Sequence, residues 1–329
     1  MTAYGDITPR TAAYAAVDLL KRALPYLCLE KFGQAKVLPS NKSTSIKWRR
    51  YNSLSVAITA LTEGVTPTSK KLTSTDVTAT VSQYGDLVEI TDVVMDTHED
   101  PVLKEATTII GEQAAKTVET IRFNTLKAGT NVAYAGAVAA RTSVTDVMAR
   151  ADQRKIIRTL ERQETQHITQ VVRSTPAFNT ENVQPAFVGV CHVDLKTDIR
   201  SMSGFIDAKD YGSIPPWETE VGACEDVRYL TSTVFTAWAD GGSATGAGTT
   251  RISTANSACD VYPVLVFGRD AYGIVALKGE FAITPMVINP TPSKSDPLGQ
   301  RGSVSWKTMQ TCVILNDNWM CRWEVACTL

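Results

Sequence analysis

Two alternating runs separated by a long turn-rich stretch constrain this chain more than any other feature. From Ser43 to Tyr51, Ile46 and Trp48 fall on one face and Lys47 and Arg49 on the other. From Val77 to Val81 the apolar positions are Val77, Ala79 and Val81, and after Gly85 the phase changes to Val88 and Ile90. Period-two alternation makes strands, and a glycine at a phase change signals a bulge. Between the runs, Leu61–Leu72 is rich in turn formers. The pattern predicts a long two-stranded arm with a polar tip. A lone ribbon of two strands is barely stable in water. The arm must therefore rest on another surface, in this chain or in a second copy.

The arm also divides charge. Residues 1–75 hold eleven Lys/Arg against four Asp/Glu, a surplus of seven positive charges. Residues 76–120 hold two Lys against ten Asp/Glu, a surplus of eight negative charges, although the whole chain carries only −1. Opposite fields on neighbouring segments could pair within one subunit or between neighbours, where they would orient association. They mark Glu63, Lys70 and Lys71 at the tip, and Asp96, Glu99 and Glu105 beyond the arm, as candidate contacts between subunits. A protein that wraps nucleic acid tightly usually shows a basic surplus, and this chain as a whole does not.

Two helices are expected next to the arm. Before it, Thr8 caps and Pro9 opens a helix over 9–24, with Tyr14, Val17, Leu20 and Leu24 on one stripe and Pro25 as the stop; residues 24–38 then read as a connector. After it, Asp100 and Pro101 start a helix that runs to about Lys127. Its apolar stripe is Leu103, Ala106, Ile110, Ala114, Val118 and Ile121, and Gly129 ends it. At 1.5 Å per residue it is roughly 40 Å long. Another helix fits 144–163, with Ser143 as cap and Val147, Met148, Ala151 and Leu160 inward.

From Pro176 the pattern shortens. Ala186–Cys191 reads as a buried strand and Asp194–Arg200 as a short helix. The Gly-, Ser- and Thr-rich residues 237–258 read as an exposed insertion loop. Further strands are expected near 264–267, 274–277, 283–288, 303–315 and 320–327. No internal repeat, secretory leader or membrane-spanning helix is visible.

Catalytic signals are weak. Cys191 next to His192 and Asp194 could form a nucleophile and its base, but a strand end running into a capped helix explains the same residues. His98 and His167 read as solvated. No G-x-S-x-G and no phosphate-binding loop occurs. Seven cysteines, odd in number and without a C-x-x-C pair, read as reduced core thiols rather than a zinc site. The six tryptophans sit mostly in apolar runs and read as packing residues. No catalytic residue, cofactor or metal is expected.

Three stretches carry a resemblance: Asp260-Val-Tyr-Pro-Val-Leu-Val-Phe-Gly-Arg-Asp-Ala-Tyr-Gly273, Asp296-Pro-Leu-Gly-Gln-Arg-Gly-Ser-Val-Ser-Trp-Lys-Thr308 and Val313–Trp323, supported by Phe187–His192. They resemble the major capsid proteins of N4-like tailed bacteriophages. The resemblance implies an α+β, HK-97-type capsid fold. Residues 1–42 would be the N-arm and 43–92 the E-loop region. Residues 93–175 would be the P-domain helices, 176–280 mostly A-domain with the 237–258 insertion, and 281–329 the returning strands that complete both. It implies a structural protein of the virion, assembled in the host bacterial cytoplasm into pentamers and hexamers around double-stranded DNA. Partners would be a portal protein and separate scaffold and decoration proteins, with no membrane. Two competing readings are an encapsulin-like nanocompartment shell and a soluble α/β hydrolase-type enzyme using Cys191 and His192.

Overall fold

The structure is a computed structural model that describes residues 27–39, 41, 43–93, 102–173, 179–212, 215–244, 250–277, 283–292 and 297–329. The expected helix over 9–24, the capping Asp100 and His98 lie outside these residues. In chain order the first strands are β1 (Gln34–Leu38), β2 (Ser45–Tyr51), β3 (Ser74–Thr80) and β4 (Ser82–Thr91), followed by helix α1 (Val102–Lys127). Next come β5 (Val132–Tyr134), α2 (Arg150–Arg162), β6 (Ile168–Arg173), β7 (Asn179–His192) and α3 (Lys196–Ser201). The rest are β8 (Phe205–Asp207), β9 (Glu220–Cys224), β10 (Val227–Ser232), β11 (Val261–Phe267), β12 (Tyr272–Leu277), β13 (Thr284–Ile288), β14 (Arg301–Ile314) and β15 (Met320–Ala326). The fold is α+β, as the resemblance implies.

A large mixed sheet runs β5-β15-β11-β7-β10-β9-β8, with β6 paired to β7. Its central strand β11 is buried at every residue because both faces are covered. Successive side chains of a strand point to opposite faces. Thus Tyr262, Val264 and Val266 join Phe187, Cys191, Trp323 and the α2 residues Ile156, Ile157 and Leu160 on one side. Leu265 and Phe267 join Val188, Val190, Phe123 and Leu126 on the other. A second sheet runs β1-β12-β14-β13, with β4 on the far edge of β14. The N-terminal half of α1 packs on its inner face through Ile110 and Ala114 against Ile90, Val287, Val304 and Trp306.

The buried side of α1 is not wholly apolar. Glu119 and Arg122 lie in it, fully and nearly fully buried. Glu119 Oε1 accepts the backbone N–H groups of Cys28 and Leu29 at 3.0 and 2.9 Å. Arg122 donates to Glu30 Oε2 at 3.1 Å and to Gln310 Oε1 at 2.9 Å. Residues 24–38, expected as a connector, are therefore a strap in their described part. A short 3-10 turn over Leu29–Lys31 is clamped to α1, and β1 pairs in parallel with β12. The sequence shows no alternation there, because only Leu38 of β1 is buried.

Three other expectations change. The phase switch near Gly85 is not a bulge. β3 pairs with β2, while β4 leaves the arm and pairs with β14 in unbroken register from Ser82 to Thr91. The switch occurs at Val81, where the chain changes sheets. Gly85 is needed for close approach, since a Cβ there would lie 2.6 Å from the Trp306 carbonyl oxygen. The helix expected over 144–163 begins only at Arg150, after Ala149 as its cap. Met148 and Leu160 are buried as expected, while Val144, expected to open the helix, is extended and its carbonyl accepts from Ser243 N and Cys259 Sγ. The inward residues of α2 include Gln153 rather than Ala151; it donates to Cys224 O at 2.6 Å and accepts from Tyr229 Oη at 2.9 Å. The 237–258 insertion is tied down at both ends. Trp238 exchanges backbone hydrogen bonds with Val261, and Gly242 and Ser243 with Cys259.

Trp238 also packs under charge. The Arg141 guanidinium and the Lys127 ammonium lie 3.6 and 4.0 Å from its ring centroid. Glu324, fully buried on β15, accepts two hydrogen bonds from Arg141 at 2.7 Å and one from Arg322 at 2.8 Å. Arg322 in turn donates to the carbonyl oxygens of Lys127 and Gly129, where α1 ends. Cations at a helix C-terminus complete its unsatisfied carbonyls. Burial, together with Arg141 and Arg322, lowers the Lys127 pKa. Removing Glu324 would leave two guanidinium groups facing each other in a partly dry site. Glu324→Ala is expected to cost about 3–5 kcal/mol in urea unfolding; a loss below about 1 kcal/mol would show that the arginines reach water without it.

Candidate inter-subunit surface

The arm is built from the base outward. Ile46, Trp48, Ala79 and Val81 pack against Leu38 of β1, Val275 of β12 and Val313 of β14. Farther out, Arg49 forks onto Asp76 at 2.8 and 3.0 Å, with Lys47 3.7 Å from the same carboxylate. Part of the charge division read from the sequence is thus used inside the arm. The Arg49 hydrogen bond holds Asp76 below the usual carboxylate range. Asn52 closes the ribbon through Thr73 O at 2.9 Å, and the chain opens into a loop over 52–73.

Every residue of that loop is exposed. A polar tip was expected, but the loop carries Leu54, Val56, Ile58, Leu61, Val65 and Leu72, with Val56 at 82% and Ile58 at 89% exposure. Leu54, Val56 and Ile58 alternate with Ser55 and Ala57, so they share a face wherever the segment is extended. A single chain does not normally leave so many large apolar side chains in water together. Burying each contributes roughly 1.5–3 kcal/mol. Lys70 Nζ donates to Ser55 O and Oγ at 2.7 and 2.9 Å, bracing one side of the loop against the other.

A second open surface lies on the outer face of the β4-β14-β13 sheet. Strand register puts Leu87, Ser305 and Met286 in one row and Glu89, Ser303 and Ile288 in the next. The serines are short and their neighbours long, so the rows form a trough. Leu87 and Ile288 are more than half exposed along its sides. A groove of about 620 Å³ runs over this face beside Tyr84, Leu87, Met286 and Lys307.

Of the candidate contact residues, Glu63, Lys70 and Lys71 share the exposed loop, and Glu105 is exposed in the first turn of α1. Asp96 and Glu99 lie outside the described residues. Sequence reading missed the apolar face of the loop, although the alternation from Leu54 to Ile58 was there to be seen. It also missed Glu119 and Arg122, whose spacing with Ala115 and Leu126 follows a buried helical stripe.

The cysteine–histidine pair is not assembled as a nucleophile and base. Cys191 and His192 are successive residues of β7 and point to opposite faces. Cys191 is fully buried and its Sγ contacts Leu230 O at 3.6 Å, while His192 Nδ1 lies 3.0 Å from Asp194 Oδ2. Burial pushes the Cys191 thiol far above its ordinary pKa, which suppresses the thiolate. His167, expected as solvated, instead stacks on Phe187 with ring centroids 4.4 Å apart and is half-buried. No group of three metal-ligating side chains occurs among the described residues. All seven cysteines are free and buried. They are expected to resist alkylation by iodoacetamide in the folded protein and to react in denaturant, as read by intact mass.

A sequence model of a family described as phage capsid protein matches residues 74–290. No curated protein matches the chain in sequence. Solved structures do match it in fold. The capsid of Ralstonia phage GP4 superposes with a TM-score of 0.67 over 90% of this chain and 87% of that one, at 12% identity. The capsid of the cyanophage P-SCSP1u gives 0.56 over 92% and 88%, also at 12% identity. The mature capsid of bacteriophage PhiM1 gives 0.53 over 89% and 86%, at 15% identity.

Proposed function

The chain belongs to the phage capsid protein family, and we propose that it builds a tailed-phage head by laying the arm of each copy across the next. Its role is that of a major capsid protein, a structural component of the head shell with the HK-97-type fold. The observation that carries the assembly reading is the apolar loop over 52–73, which the described residues of its own chain leave uncovered. A docked loop would bury Leu54, Val56 and Ile58 and bring Glu63, Lys70 and Lys71 near the acidic region that includes Asp96, Glu99 and Glu105. Each exposed ion pair adds only about 0–1 kcal/mol, so charge orients the contact while apolar burial holds it.

In this reading residues 43–92 supply the E-loop region, α1 is the P-domain spine, and the large sheet is mostly A-domain. Pentamers and hexamers of the chain close an icosahedral shell in the host bacterial cytoplasm and become the virion capsid. A portal protein, a separate scaffold and decoration proteins complete the head. A net charge of −1 suits a wall that lies near packaged double-stranded DNA without adhering to it. The N4-like affinity rests on Asp260–Gly273 and Asp296–Thr308.

Negative-stain microscopy with light scattering tests this. Wild-type protein, with scaffold supplied if required, is expected to give uniform closed particles tens of nanometres across. Val56→Asp/Ile58→Asp and Lys70→Glu/Lys71→Glu are expected to yield folded subunits that fail to close, with the apolar pair the more severe. Normal shells from both variants would refute the arm contact. Particles that hold protein cargo and no nucleic acid, when produced in infected cells, would favour a nanocompartment instead.

A further inference from the structure

One carboxylate fastens the strap to α1. Oε1 of Glu119 takes both backbone N–H groups, of Cys28 and Leu29, while Oε2 is buried with no hydrogen-bond partner among the described residues. Around it stand Arg122 from the same helix, Cys28 and Glu30 from the strap, Tyr272 from β12, and Gln310 and Cys312 from β14. Lys31, also on the strap, is turned to Glu218 at 2.8 Å. We propose that Glu119 is a proton-operated latch on the strap, holding residues 28–31 more tightly in acid than in alkali.

The geometry suits a neutral carboxyl. A proton on the unpartnered Oε2 leaves Oε1 free to accept both amides, so attachment survives protonation. Ionisation instead places a charge in a dry site. Burial is the largest influence and raises the Glu119 pKa from 4.5 to about 7, against the pull of Arg122 and the two amides, with Glu30 adding to the rise. Opening the strap lets water reach the carboxyl and returns it toward 4.5. The attached state then has the higher pKa, so it binds the proton more tightly. Its advantage is complete below about 4.5 and is lost as pH rises through about 7. Linkage converts that gap into a change of about 300-fold in the attachment equilibrium.

Cys28, Cys312, Tyr272 and Arg122 do not titrate in this window. Burial raises the thiols of Cys28 and Cys312 to about 12, and it raises Tyr272 well above its ordinary value. On Arg122 burial is outweighed by Glu30 and Glu119, so the guanidinium stays charged. Leu29 O still accepts from Tyr272 Oη at 2.5 Å, and Leu29 and Phe32 stay in the core. The latch therefore grades the frequency of local opening rather than freeing the segment outright.

Hydrogen–deuterium exchange of a peptide spanning residues 27–33, in the full chain, tests the latch. Rates from roughly pH 5 to pH 9 are corrected for the intrinsic pH dependence of exchange. Wild-type protection is expected to fall by about 75-fold between pH 5 and pH 9, declining steadily up to about pH 7 and levelling off above it. Glu119→Gln keeps an acceptor oxygen and cannot ionise, so its protection should stay high and flat with pH. A flat wild type, or a Glu119→Gln profile that slopes like the wild type, would overturn the latch. If that variant does not fold, Glu30→Gln decides instead. It removes the acid that opposes Glu119 ionisation and should lower the pH at which protection levels off; an unmoved break would overturn the proposal.

Discussion

The buried polar stretch of α1 is the constraint on which the rest of the structure depends. An uncompensated charge in a protein interior costs several kcal/mol. Glu119 and Arg122 can be buried only where partners come to them. The strap supplies two amides and Glu30, and β14 supplies Gln310. These partners come from sequence positions about ninety residues before the helix and almost two hundred after it. Satisfying them fixes where the strap lies, how α1 is turned about its axis, and which part of β14 passes beside it. The apolar contacts above and below, Ile110 and Ala114 on one sheet and Phe123 and Leu126 on the other, tolerate small slips; the hydrogen bonds do not.

From that fixed axis the two sheets acquire separate tasks. The large sheet is covered on both sides and buries β11 completely, so it serves as the rigid body. The second sheet is covered on one side only. Its inner face takes α1, and its outer face is open along the trough between β4 and β13. The arm extends from this half-covered sheet, its base packed on β12 and β14 and its loop bare. The chain thus has a closed core and an unfinished surface. In the proposed assembly a second copy would complete that surface, which is how a wall protein would differ physically from a protein that ends at its own skin.

The charge division follows the same logic. Some of it is used within the chain, as Arg49 on Asp76 shows. The remainder sits on exposed residues such as Lys71, Glu63 and Glu105, where ion pairs are weak singly and useful in many copies. Apolar side chains such as Val56 and Ile58 carry more free energy per contact, and the tip is built mainly from them.

The sequence by itself determined the local elements. Alternation in Ser45–Tyr51 and Ser74–Thr80 makes strands because a pleated ribbon needs period two, and the stripe from Ala106 to Val118 makes a long helix. The family-like words also fall on structure that depends on sequence continuity: Asp260–Gly273 covers β11, its turn and the start of β12, and the described part of Asp296–Thr308 enters β14. Tertiary structure alone decided the partners. Nothing near Val81 says that the chain will leave β2 for β14, because pairing depends on a strand more than two hundred residues away. Nothing in the strap marks β1, whose side chains are mostly exposed and which pairs with β12 through its backbone, with Leu38 alone buried. Ser143 looks like a helix cap, yet the backbone of Val144 is drawn into contact with Ser243 and Cys259 and the helix starts later. Glu119 reads as one more acid in an acidic segment until folding takes it out of water. Local periodicity acts between neighbours in sequence, whereas dehydration and long-range hydrogen bonding act between neighbours in space.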